Sequence, residues 1–163
     1  MKNVFKQMFS FILPFIVLIL VPLYIEPHIT ADHIIALLSG LPVICIGLYI
    51  LTTNVSAFIR IGKGTLAPWS PTRKLVITGM YRYVRNPMIS GVVIALAGEA
   101  ITVLSLNILI WAAVFFIVNN LWFLLYEEPD LLKKFGKEYS EYKKNVPRWI
   151  PRLEPFIPDS GPK

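Results

Sequence analysis

Long apolar stretches, separated by short polar links, run through most of this chain and constrain its fold more tightly than any other feature. Phe9–Ile25 is broken only by Ser10, Pro14 and Pro22; Ile34–Ile59, Met88–Leu104 and Ile108–Tyr126 follow. A hydrocarbon core ~30 Å thick takes roughly 20 helical residues to cross. Inside it the backbone must satisfy its own hydrogen bonds, so stretches of this kind become helices. The expected fold is all-α: a polytopic membrane protein with about four transmembrane helices, residues 9–25, 34–59, 88–104 and 108–126, in a single domain covering 1–163. The first stretch follows Lys2 and Lys6 as a signal peptide would, but Glu26-Pro27-His28 stands where a small-x-small cleavage site would be. It is read as a retained span, kinked near Pro14. Gly40-Leu41-Pro42 predicts a second kink.

Composition agrees. Mean hydropathy is +0.61 and charged residues make up 16% of the chain, against about 25% in soluble domains. A separate soluble domain has no room. The net charge of +6 comes from basic residues beside apolar spans. They suit membrane lipid headgroups rather than a nucleic-acid surface. Two basic residues precede the first span, none lie in Glu26–Asp32, six lie in Arg60–Arg85, none in Ser105–Asn107, and eight follow Tyr126. That alternation places both termini in the cytoplasm and Arg60–Arg85 on the same side as Glu127–Lys163. The expected home is a prokaryotic cell membrane. Cys45, the one cysteine, reads as a small buried apolar residue.

Candidate chemistry concentrates where these two polar segments would meet. Gly79-Met80-Tyr81-Arg82-Tyr83-Val84-Arg85-Asn86-Pro87-Met88-Ile89-Ser90-Gly91 packs two arginines and an Asn-Pro step against the third span. Asn86 reads as an N-cap and Pro87 as the first helical residue, so the helix's free N–H groups suit a polar or anionic ligand. Positive-inside anchoring explains the arginines equally well. Glu127 and Glu128 either face a cationic ligand or these arginines, or simply favour the first turn of a helix starting at Pro129. Leu132, Phe135, Tyr139 and Tyr142 share one face of a cytoplasmic amphipathic helix running to about Lys144. Glu99, inside a span, is costly; the structural reading bonds it to Asn119, Asn120 or a hydroxyl. Gly62-Lys63-Gly64 lacks the strand and third glycine of a dinucleotide fingerprint and reads as a turn. His28 and His33, with no cysteine cluster, make no metal site.

In this order and spacing, Gly79, Tyr81, Arg82, Arg85, Pro87 and Gly91, then Glu127, Glu128, Phe135, Gly136, Tyr139, Tyr142, Val146, Pro147, Arg148 and Pro151 resemble the isoprenylcysteine carboxyl methyltransferase and phospholipid methyltransferase superfamily. The resemblance covers roughly Gly62 to Pro151. Asn86 stands where that family usually has His, and Ile89 where it usually has Tyr. Asn donates a hydrogen bond but does not titrate near neutrality, which removes a general base there.

The resemblance implies S-adenosylmethionine as cofactor and a lipophilic small-molecule or lipidated acceptor, with no metal. It puts Tyr81, Arg85, Asn86, Pro87, Gly91, Glu127 and Glu128 at the cofactor, in segments 60–91 and 127–151. Arg85, Glu128 and Arg148 are its candidate catalytic residues, the two arginines for an acceptor carboxylate and Glu128 as base for an amine. Three alternatives stand beside it: a phospholipid amine N-methyltransferase, a non-catalytic membrane relative, and a nicotinamide-using membrane reductase.

Overall fold

The computed structural model describes residues 12–27, 33–62 and 75–158. Among them the chain is helical, with no strand. In order come α1 (Ile12–Ile25), α2 (Ile34–Gly62), a 3₁₀ turn (Gly79–Arg82), α3 (Pro87–Thr102), α4 (Leu106–Trp122), α5 (Glu128–Phe135) and α6 (Lys137–Asn145). Among the described residues two helices are long and apolar enough to cross a membrane: Ile34–Ala57 of α2, and the continuous rod Leu106–Phe135 that joins α4 to α5. The apolar part of that rod ends at Tyr126, where Glu127 begins the charged part. Helices α1 and α3 are apolar but shorter. Large apolar side chains stand exposed along α2 and α4, among them Ile35 (80%), Tyr49 (69%) and Leu106 (68%). A soluble monomer rarely exposes so much contiguous apolar surface.

Two π-helical turns interrupt the rods, and each ends two residues before a proline. Ile16–Leu20 precedes Pro22, with the Val21 N–H bonded to the Ile16 carbonyl; Phe123–Glu127 precedes Pro129, with the Glu128 N–H bonded to the Phe123 carbonyl. Proline lacks an N–H and its ring crowds the carbonyl four residues back, so one wider turn relieves the clash. The first irregularity thus lies between Pro14 and Pro22.

The tightest contact is between α2 and α3. Gly40 and Gly47 of α2 meet Gly98 and Gly91 of α3 in antiparallel order. A Cβ on Gly47 would lie 2.5 Å from the Ala95 nitrogen, and one on Gly91 2.8 Å from the Leu51 nitrogen. Only bare backbone fits, the small-residue packing by which helices associate without a hydrophobic drive between them. Cys45 is exposed rather than buried. It precedes Gly47 by two residues, ~200° around the helix, and so faces away from α3. Val17, Leu51, Val55, Val92, Leu96 and Ala112 form the core between the helices.

At one end of the bundle, Ser105 caps α4 by accepting from the Ile108 N–H at 3.3 Å. It donates to Glu26 Oε2 at 2.7 Å, tying the end of α1 to the α3–α4 turn. Asn107 therefore lies inside α4 rather than in a turn. At the other end, the expected single C-terminal helix is two helices, broken at Gly136, whose φ of +53° favours glycine. Tyr139, Tyr142, Val146 and Phe156 form a second small core there, with Leu75, Ile77, Leu131 and Phe135 packed against it.

Candidate active site

That second core is stitched to the 3₁₀ turn before α3. The Arg85 N–H donates to the Pro147 carbonyl (3.0 Å), the Arg152 N–H to Tyr83 (3.0 Å) and the Phe156 N–H to Arg82 (2.9 Å). Arg82 Nε donates to the Phe156 carbonyl at 2.8 Å and the Tyr142 hydroxyl to the Tyr81 carbonyl at 2.7 Å. The two polar segments meet over one end of the bundle.

Glu128 sits at their junction, 4% exposed. Arg85 Nη1 reaches its Oε1 at 2.7 Å, as do Nε and Nη2 of Arg148. Lys143 Nζ forms an ion pair with Oε2 at 2.8 Å. Burial alone would raise the Glu128 pKa, but Lys143, Arg85 and Arg148 outweigh it and hold the carboxyl below its usual range. Arg85 is used further: Nε donates to the Val146 carbonyl (2.9 Å) and Nη1 to the Tyr139 hydroxyl (3.3 Å). Three cations thus gather around the one Glu128 carboxylate.

Sequence reasoning missed two members of this network. Lys143 lies on α6 beside Tyr142, and its helical position gives no hint of its partner. Asn120 accepts from Arg148 Nη1 (3.1 Å) and Trp149 Nε1 (2.8 Å), while the Trp149 ring packs on Phe116 with centroids 4.8 Å apart. The signal was an asparagine near the end of an apolar span, four residues from Phe116. Asn119 bonds its own helix, at the Phe115 carbonyl. Neither asparagine meets Glu99, contrary to the expectation above, and among the described residues no hydroxyl does either.

Glu127, next door, is the opposite case. No hydrogen bond or ion pair reaches it among the described residues. Burial first, then the charges of Asp130 and Glu128, push its pKa up to about 7. Its backbone is helical and its side chain caps nothing, so a role in starting a new helix does not explain it. Its charge acts on Tyr81, whose buried hydroxyl has no partner and is held well above the ordinary tyrosine range, first by burial. Asn86 occupies the N-cap position and Pro87 the first helical one, but the Asn86 side chain makes no cap bond and its buried Nδ2 is unpartnered. Thr78 Oγ1 is a third buried polar atom without a partner. Buried polar groups without partners are rare and call for an explanation. Gly91 has its own: it lets α3 approach α2. Lys63 and Gly64 lie outside the described residues. Among the described residues no group of three or more His, Cys, Asp or Glu is placed to hold a metal.

The phospholipid methyltransferase family matches residues 35–138, 104 of the 163 residues. The chain belongs to the phospholipid methyltransferase family. The match takes in Tyr81, Arg85, Asn86, Glu127 and Glu128 and stops short of Lys143 and Arg148. The protein-S-isoprenylcysteine O-methyltransferase of Schizosaccharomyces pombe is 29% identical over 125 residues, 71% of this chain and 49% of that protein. The chain thus spans about half the length of this curated relative. No solved structure matches it.

Proposed function

We propose that this protein is a four-span membrane methyltransferase, both termini cytoplasmic, that uses S-adenosylmethionine to methylate a lipophilic acceptor in the manner of isoprenylcysteine carboxyl methyltransferases. Two apolar helices, α1 and α3, running beside the two long ones support four spans, and the Glu26–Ser105 bond supports their shared ends. One observation carries the site: the buried, partnerless Tyr81 hydroxyl within reach of the charge of Glu127, a carboxylate without a counter-ion among the described residues, with a second unpartnered buried donor, Asn86 Nδ2, five residues along the same segment.

These groups fit the cofactor. Bound there, S-adenosylmethionine supplies a methyl group from a sulfonium, a displacement that needs no metal. Glu127, rather than the saturated Glu128, is the carboxylate for the cofactor's cationic end. The Tyr81 hydroxyl and Asn86 Nδ2 are donors for its carboxylate or sugar. Pro87 and Gly91 act by fixing the start of α3 and its seat on α2. Glu128 is a positioning residue that holds Arg85 and Arg148 in place. The two guanidinium groups of Arg85 and Arg148 favour an acceptor with an anionic end, as a prenylcysteine carboxylate has, and such an acceptor needs no base. The second reading, amine methylation of a phospholipid, is favoured by one observation: a Glu127 carboxyl near 7 is poised to accept a proton.

Calorimetric titration of the detergent-purified protein with S-adenosylhomocysteine tests the site. Glu127→Gln weakens binding by about tenfold or more, the worth of one charge-assisted hydrogen bond. Glu127 must be ionised to hold a cation, so wild-type affinity rises as pH climbs from about 6 through 7 and then levels off, whereas Glu127→Gln stays flat. Unchanged affinity in the variant would sink the assignment. Incubation with a labelled methyl donor, a prenylcysteine analogue and phosphatidylethanolamine in parallel then separates the two acceptors.

A further inference from the structure

The end of the bundle opposite this junction holds a carboxylate that nothing above uses. Glu99 lies on α3, twelve residues beyond Pro87, which is ~18 Å along the helix. It lines an open cavity of about 210 Å³ between α1 and the other helices. Leu18, Ile19 and Leu23 of α1, Ile44 of α2 and Ile108 of α4 form its walls. The donors nearby are occupied: Thr102 Oγ1 donates to the Gly98 carbonyl (2.8 Å) and Ser105 Oγ to Glu26. Among the described residues the Glu99 carboxyl has no hydrogen bond and no ion pair. A carboxylate left alone at membrane depth is costly, and such residues mark functional sites.

We propose that this crevice is a second lipid site, which takes the primary ammonium of a bilayer aminophospholipid at Glu99 and the adjoining acyl chain along its apolar walls. The occupant comes from the bilayer because Ile19 (44% exposed) and Leu23 (48%) open the cavity on a face of α1 that is apolar throughout. Charge fixes the headgroup. A primary ammonium brings three N–H donors to a carboxylate that has none, whereas a choline headgroup brings a positive charge without an N–H. The cavity is too small for a whole lipid, so it selects by headgroup and one stretch of chain. This site does not depend on the methyltransferase reading, because it lies at the other end of α3 and needs no cofactor.

Native mass spectrometry of the full-length protein in detergent, with phosphatidylethanolamine and phosphatidylcholine of identical chains added separately, tests it. The wild type retains phosphatidylethanolamine about tenfold better than phosphatidylcholine, the scale of one charge-assisted hydrogen bond. Glu99→Gln, an isosteric change, removes the preference. Leu23→Trp, at an exposed position that tolerates bulk, fills the crevice and lowers retention of both lipids. Equal retention by the wild type overturns the proposal, as does a preference that survives Glu99→Gln. That second result points to a lipid held at the Asn86–Glu127 site instead. Loss with Glu99→Gln but not with Leu23→Trp overturns the crevice as the chain's place.

Discussion

The two ends of the bundle solve the problem of polar groups near a membrane in opposite ways. At the α3 start, residues from four places in the chain converge: Arg85, Lys143 and Arg148 each bind Glu128, and the backbones of 82–85 and 147–156 are laced together. At the α3 end, one short bond between Ser105 and Glu26 closes the turn, and Glu99 stands without a partner in an apolar crevice. The first end is over-determined. Arg85, Arg148 and Glu128 are each held there by several contacts, so their geometry resists change and can pre-organise a site around the unpaired Glu127 beside them. The second end is under-determined and leaves a group free for something that is not this chain. A carboxylate's neighbours, more than its identity, decide which kind of end it makes.

The sharpest way to break this contrast is to empty the first end. Glu128→Ala leaves Arg85 and Arg148 facing each other with no anion between them. The expected loss is about 3 kcal/mol, the low end for breaking a buried ion pair, because Lys143 at 46% exposed keeps much of its hydration. Thermal unfolding in detergent reads it, and limited proteolysis finds faster cleavage around Lys143–Arg148. The pH dependence follows from the lowered Glu128 pKa. Glu128's contribution is fully present above the unfolded carboxyl's ordinary value of about 4.3 and is lost only as pH falls through the depressed folded value. The C-terminal segment therefore stays docked at pH 5 and releases only below the ordinary carboxyl range. Release beginning between pH 6 and 5 would contradict the clamp.

A smaller effect sharpens the picture of how the end is anchored to the helices. Asn120 is its tie to α4, through Arg148 and Trp149. Asn120→Ala leaves two donors short of an acceptor and costs about 1–2 kcal/mol, while Glu128 keeps its three cations. The Trp149 ring then loosens from Phe116, which a red shift of tryptophan emission reports. An unchanged spectrum and melting temperature would mean that the junction is held by its charges alone.

How far this was legible in the sequence follows the same division. Apolar runs announced the helices because period and length are local properties. Boundaries moved by one to three residues where capping decided them, as at Ser105 and Pro87. Tyr81, Asn86 and Glu127 could be named as candidates because they cluster on short polar segments. What the sequence could not convey was the pairing. Glu128 meets Arg85 across 43 residues and Arg148 across 20, and no periodicity says which of sixteen basic residues a given carboxylate will choose. Adjacent glutamates therefore looked alike, although the π turn before Pro129 places Glu128 among cations and leaves Glu127 without one. Gly91 was ambiguous for another reason: close approach to a cofactor and close approach to a helix ask for the same residue. Gly136 carried a signal that the face-counting of Leu132, Phe135, Tyr139 and Tyr142 overrode, since a glycine at positive φ ends one helix and lets another begin.

The smallest expected effect lies at the second end, and its smallness is what makes it informative. If Glu99 had a structural partner in this fold, Glu99→Gln would leave that partner short and cost 1 kcal/mol or more. The described residues give it none, so in lipid-free detergent the substitution should shift stability by no more than about 0.5 kcal/mol, as neutral changes do. Removing a lone carboxylate from apolar surroundings should, if anything, raise the melting temperature. The contrast with Glu128→Ala then spans several-fold in free energy for two changes that each delete one negative charge. A Glu99→Gln loss approaching that of Glu128→Ala would show that both ends are internally bonded, and the distinction between a clamped carboxylate and a waiting one would fail.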